Sequence, residues 1–165
     1  MATSKTKGQR PKISEGPQVG AARYDAYKST IDQYHKAMEA DFYIEAIALM
    51  ESIISDRIES MLNAILKNDD NSFNTSGHLA DVAIHNATIT QCRPIVDVLA
   101  EIKEWSKKRN DAIHKMAKLS HIEIEKSISF SDKYAALEEV AQEGYSLFNK
   151  LNNELKSARR KKILP

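Results

Sequence analysis

The chain has 165 residues, 42% of them hydrophobic and 28% charged, with 5 Gly, 4 Pro and 1 Cys. This is the composition of one ordinary globular domain with short tails; collagen-like, low-complexity and disulfide-scaffold classes are excluded. The formal charge of +1 is unevenly spread: residues 1–20 carry +3, residues 156–165 carry +5, and the body between them carries −7.

Basic ends on an acidic body favour polyanionic partners through counterion release, although tails of this kind can equally be solvated or close a helix C-terminus. No run approaches the roughly 20 apolar residues of a membrane span. The N-terminus is polar and basic, without the apolar stretch of a secretory signal. Cys92 has no partner for an intrachain disulfide. The expected setting is therefore the reducing cytoplasm, with no membrane association.

Residues 1–20 hold three glycines, two prolines and few apolar groups, and are expected to form a disordered basic tail. Residues 21–67 read as helix almost throughout. Tyr24, Tyr27, Ile31, Tyr34 and Met38 share one period; Ile47, Met50, Ile54, Ile58, Met61 and Ile65 form a second apolar stripe at three- and four-residue steps. The pattern permits a break at Ala40–Asp41, with Asp41 as an N-cap, without requiring one.

Asn68 to Gly77 is a loop signal, and His78 to His85 reads as a short helix. A longer helix starts between Gln91 and Arg93, with Pro94 in its first turn, where a missing N–H is harmless. Its apolar side is Ile95, Val98, Leu99, Ile102 and Trp105, and it is expected to reach about Leu119. His121 to Phe130, with isoleucines between polar residues, reads as either a short extended piece or a loop. Ser131 suits an N-cap for a last helix over 132–158, whose core face is Leu137, Val140, Ala141, Tyr145, Phe148, Leu151 and Leu155. The expected fold is an all-α antiparallel bundle of four to five helices over 21–158, followed by a basic C-terminal tail over 159–165.

The stretch with the most chemistry is Arg109-Asn110-Asp111-Ala112-Ile113-His114. At 100° per residue, Ile102, Trp105, Arg109, Ala112, Ile113 and Met116 follow the core side. Lys103, Lys107, Asn110, His114 and Lys118 line a polar, basic face. Asn110 and His114 are i,i+4 neighbours, whereas Arg109 and His114 are about 140° apart. A guanidinium at the edge of an apolar stripe needs a partner: a phosphate, or an acid on another helix, for which Glu51, Asp56 and Glu59 are the candidates.

Together these residues suit cleavage of RNA without a metal or other cofactor. Histidine titrates near neutral pH and can pass protons between the attacking 2′-OH and the leaving 5′-oxygen. Arginine can stabilise the extra charge on phosphorus. Asn110 can orient either, and Lys103, Lys107 and Lys118 can hold the RNA backbone. One copy supplies only one such histidine, so two subunits about a two-fold axis, a homodimer, would complete the pair.

With this motif in an all-helical context, the chain resembles the HEPN domain family (higher eukaryotes and prokaryotes nucleotide-binding). Those proteins are all-α bundles marked by Arg-x(4–6)-His, often with a polar residue directly after the arginine. The resemblance spans roughly residues 24–158 and is specific only at the motif. It implies a dimeric, metal-independent endoribonuclease with Arg109 and His114 catalytic and Asn110 supporting them. It also implies a toxin–antitoxin or anti-phage setting, with an antitoxin or defence-complex partner protein. One branch of the family continues the motif as His-x-Tyr, the tyrosine being modified by an antitoxin; Met116 occupies that place here. Other members lack activity and serve as interaction or nucleotide-binding modules, and the alternative for this chain is a non-catalytic helical interaction or nucleic-acid-binding module within a multi-subunit complex.

Other groupings are weaker. His78, Asp81 and His85 lie on one short helix but fall short of a three- or four-ligand metal set. The tyrosines at 24, 27 and 34 could stack bases, though core or subunit-interface packing is the ordinary use of such a stripe.

Overall fold

The computed structural model describes residues 17–67, 74–116, 118, 126 and 128–165. Five α-helices account for most of them: α1 (Pro17–Glu39), α2 (Tyr43–Leu66), α3 (Ser76–Ile84), α4 (Arg93–His114) and α5 (Phe130–Arg160), with a 3₁₀ turn at Ile89–Gln91. No strand occurs among the described residues, and none of their helices is long and apolar enough to cross a membrane.

The break between α1 and α2 falls where the sequence permits one, but Asp41 does not cap α2. It adopts a left-handed conformation (φ 57°) just past the end of α1. Phe42 N–H bonds back to the Ala37 carbonyl at 2.7 Å and Asp41 N–H to that of Met38 at 3.2 Å. These two bonds form a Schellman closure, which satisfies the otherwise orphaned last carbonyls of α1. The chain then reverses, and α2 runs back along α1: Arg23 meets Ser60, Tyr27 meets Asp56, and Gln33 meets Glu45.

The apolar stripes meet in one core. Ile47, Met50, Ile54 and Ile58 of α2, Ile95, Leu99, Ile102 and Trp105 of α4, and Leu137, Leu151 and Leu155 of α5 are fully buried. In α1, Tyr34 is buried, but Tyr24, expected on the same stripe, is 70% exposed. α4 and α5 are antiparallel, tied by Lys108 to Glu139 and Glu143 and by Lys150 to Glu101. Trp105 sits at their crossing. Its indole N–H donates to the Val140 carbonyl at 2.8 Å, and its ring lies against Gly144, where a Cβ would come within 2.7 Å of it. A glycine is needed there for close approach rather than for backbone freedom.

Three boundaries differ from the sequence expectation. α1 begins at Pro17, inside the segment expected to be a tail; residues 1–16 lie outside the described residues. α4 ends at His114, not near Leu119, with Lys115 as its cap. α5 is capped by Ser129, not Ser131: the Ser129 hydroxyl and Asp132 carboxylate form a reciprocal capping box. Asp132, three residues on, is what decides between the two serines. Most of the segment expected as extended or loop (121–125 and 127) lies outside the described residues.

At the C-terminus, α5 runs to Arg160 and then hooks. Lys162 is left-handed (φ 56°), Ile163 N–H returns to the Ala158 carbonyl at 2.9 Å, and Leu164 is buried. The basic end expected as a tail is therefore anchored to the bundle.

Candidate functional site

The last three turns of α4 carry the motif. Helical spacing puts Trp105, Ser106 and Arg109 on the inward face, and all three are buried, Arg109 at 9% exposure. Of the three acids considered, Glu51 of α2 is its partner: Arg109 Nη1 lies 2.9 Å from Glu51 Oε2. Arg109 Nη2 donates to Ser106 Oγ at 3.4 Å, and the guanidinium carbon stands 5.8 Å from the Trp105 ring centroid. Asp56 is bound elsewhere, by Arg23 and Tyr27.

Glu51 serves more than the arginine. Its carboxylate accepts from Ser76 N–H at 2.7 Å, from Ser76 Oγ at 2.6 Å and from Ser55 Oγ at 3.3 Å. Ser76 is the first residue of α3, so one carboxylate closes the N-terminus of α3, where a negative charge is favoured, and neutralises Arg109 on α4. The side chains of Arg109 and Glu51 are only 11% and 15% exposed. Arg109 Nε is buried and lacks a hydrogen-bond partner. Gly77 lets α3 approach closely enough for this, since a Cβ there would meet Ser106 Oγ at 2.6 Å.

Asn110 and His114 lie on the opposite, solvent-exposed side of α4. The 140° separation from helical geometry thus becomes a physical one: the arginine is inside and the histidine outside. As an open phosphate clamp, Arg109 is not available within a single chain in this conformation, because the desolvated guanidinium is already paired.

The lysines expected to form an RNA-holding face are also largely matched by carboxylates. Lys103 pairs with Asp81 of α3, whose carboxyl it holds below the usual range. Lys107 lies 2.7 Å from Glu104; Lys115, which is not part of the expected face, lies 3.1 Å from Asp111. Lys118 is exposed, and its backbone carbonyl accepts from Lys133, which also bonds the Lys115 carbonyl at 3.0 Å. Lys133 thereby closes the end of α4 with a cation, as the helix dipole favours.

His85 Nδ1 lies 2.7 Å from its own helix's Asp81 carbonyl. Among the described residues no group of three or more His, Cys, Asp or Glu is arranged to hold a metal. Cys92 is a buried free thiol at the start of α4.

Sequence reasoning missed the three serines around the Arg109–Glu51 pair. Ser106 was within reach of it, standing three residues before Arg109 on the same face. Ser76 and Ser55 come from other helices, and no local pattern marks them.

No family model matches this chain, and comparison with curated proteins and with solved structures returns no match. What stands is the class of architecture: an all-α bundle, with five α-helices among the described residues and a buried Arg–Glu pair beneath an exposed Asn–His turn.

Proposed function

We propose that the chain is a metal-independent endoribonuclease of HEPN type, working as a homodimer in the cytoplasm in a toxin–antitoxin or anti-phage setting. His114 is the proton-transfer residue. Asn110, one turn before it, orients the imidazole or a phosphate oxygen. Arg109 is a positioning residue that holds this turn of α4 from beneath. The RNA 2′-oxygen attacks the adjacent phosphorus as one histidine takes its proton. The P–O5′ bond breaks as the histidine of the second subunit protonates the leaving oxygen, giving a 2′,3′-cyclic phosphate and a 5′-hydroxyl.

The observation that carries this reading is the Arg109–Glu51 pair. A buried ion pair is a poor way to gain stability, because desolvation offsets most of the attraction; its better-attested use is to fix geometry. Here the geometry fixed is that of the helical turn bearing Asn110 and His114. The test is RNA cleavage in EDTA by the wild type and His114→Ala side by side. The wild type should leave cyclic- or 3′-phosphate ends, and the variant should be at least about 100-fold slower. Equal rates would sink the assignment.

A second reading, a non-catalytic helical interaction or nucleic-acid-binding module, is favoured by one specific observation. Lys103 and Lys107, two of the lysines expected to hold the RNA backbone, are already paired with carboxylates. It predicts no cleavage by the wild type in the same assay, and a stable partner on pull-down.

A further inference from the structure

A cavity of about 660 Å³ opens between α1, α2 and the last turns of α5. It shares no residue with α4 and is separate from the Arg109–His114 element. Five cations line it, Arg23, Lys28, Arg57, Lys156 and Arg159, against one carboxylate, Asp32. Arg23 is matched, lying 3.2 Å from Asp56 and donating to Ser60 Oγ at 3.0 Å.

Arg57 is not matched. It makes no hydrogen bond or ion pair among the described residues, its Nε is buried without a partner, and its nearest aromatic contact is the Tyr27 ring at 6.0 Å. Arg159 uses only Nε, which donates to the Pro165 carbonyl at 3.0 Å. Partial burial, and then the charge of Arg57, hold the Arg159 guanidinium below its ordinary range. Arg57 and the exposed Arg159 bring two like charges to one cavity, and an anion between them would relieve that repulsion.

The rest of the lining suits such an anion with an organic part. Tyr27 and Phe148 pack edge-on at 6.1 Å as an apolar floor, and Tyr24 stands 70% exposed at the rim. The α5 residues Asn149, Asn152 and Asn153 add amides with no side-chain partner among the described residues. The volume lies within the range of about 300–1,000 Å³ typical of small-molecule pockets. Arginine forks match phosphate oxygens in geometry and charge.

We propose that this cavity binds a phosphorylated organic anion, its phosphate groups held by Arg57, Arg159 and Lys156 and its flat portion laid on Tyr24. The site stands apart from the ribonuclease reading, since none of its residues takes part in that chemistry. Either an inorganic polyphosphate or a phosphorylated aromatic compound would present the same charged groups, and Tyr24 separates the two.

The test uses the full chain at constant ionic strength, titrated with tripolyphosphate or with adenosine triphosphate. Thermal unfolding and calorimetric binding are the readouts. Both ligands should raise Tm and bind at one site. The double variant Arg57→Gln/Arg159→Gln, and separately the exposed Lys156→Gln, should bind both at least tenfold more weakly. Tyr24→Ala should weaken the nucleoside triphosphate and leave tripolyphosphate unchanged.

The ligand-free double variant should melt no lower than wild type, because its substitutions remove a repulsion and only one hydrogen bond. Arginines with a merely structural role would lower that melting point when replaced. His114→Ala should bind like wild type, so loss of cleavage and loss of this site are separable. The proposal fails if neither ligand binds, if the double variant binds like wild type, or if Tyr24→Ala leaves the triphosphate unaffected.

Discussion

Replacing Glu51 by glutamine would remove one charge from a site that cannot easily do without it. In the wild type this carboxylate accepts from Ser76 N–H, Ser76 Oγ, Ser55 Oγ and Arg109. Glutamine keeps the shape but loses the charge and turns one oxygen into a donor facing another donor. Arg109, 9% exposed and with its Nε already unpaired, is left as a buried cation with the Ser106 hydroxyl and the Trp105 ring but no anion beside it. Breaking a buried pair in this way costs about 3–5 kcal/mol. Both side chains are under a third exposed, so solvent screening does not erase that figure.

Against a total stability of about 5–15 kcal/mol, this is a large share. For a domain of this size it corresponds to a fall in Tm of roughly 6–20 °C. The assay is urea unfolding followed by the fluorescence of Trp105, the only tryptophan, which is buried beside the pair. The double variant Glu51→Gln/Arg109→Met should recover most of the loss, because it removes the stranded charge while the glutamine oxygen still accepts from Ser76. A loss below about 1 kcal/mol for Glu51→Gln would refute the reasoning. It would mean that the guanidinium reaches water readily and is free to meet a phosphate.

Gly144→Ala should destabilise by about 1–3 kcal/mol through overpacking against the Trp105 ring, although alanine is the better helix former by about 1 kcal/mol; chemical denaturation measures the net. Leu164→Ala should cost about 2–5 kcal/mol in a thermal melt, because the hook after α5 buries that side chain at 6% exposure. Truncation would be neutral if this end were only a solvated basic tail. Hydrogen bonds from the Ser129 hydroxyl and backbone hold Asp132 below the ordinary carboxylate range. A depressed folded-state pKa stabilises the fold above the unfolded value, near pH 4, and that contribution is lost as pH falls further. Asp132→Asn should therefore flatten the acid limb of a Tm-against-pH curve below about pH 4 while leaving its neutral plateau lower than wild type.

The sequence by itself determined the helical class and most of the core. The stripes from Ile47 to Met61 and from Ile95 to Trp105 repeat every three to four residues, and burying a stripe of that period requires a helix packed on other helices. It also determined that Arg109 and His114 point to different sides of one helix, because 100° per residue holds in any α-helix, and that Arg109 needs an anion. Tertiary structure decided which anion. Glu51, Asp56 and Glu59 are chemically equivalent in the sequence, and only the packing of α2 against α4 selects Glu51, with α3 bringing Ser76 to the same carboxylate.

Tertiary structure also decided the state of the lysine face. Lys103 is basic in sequence, but Asp81 arrives from a neighbouring helix and neutralises it. The cavity of Arg23, Arg57 and Arg159 was invisible for the same reason: its three arginines lie on three helices, far apart in the chain, and a local pattern cannot report what long-range packing brings together.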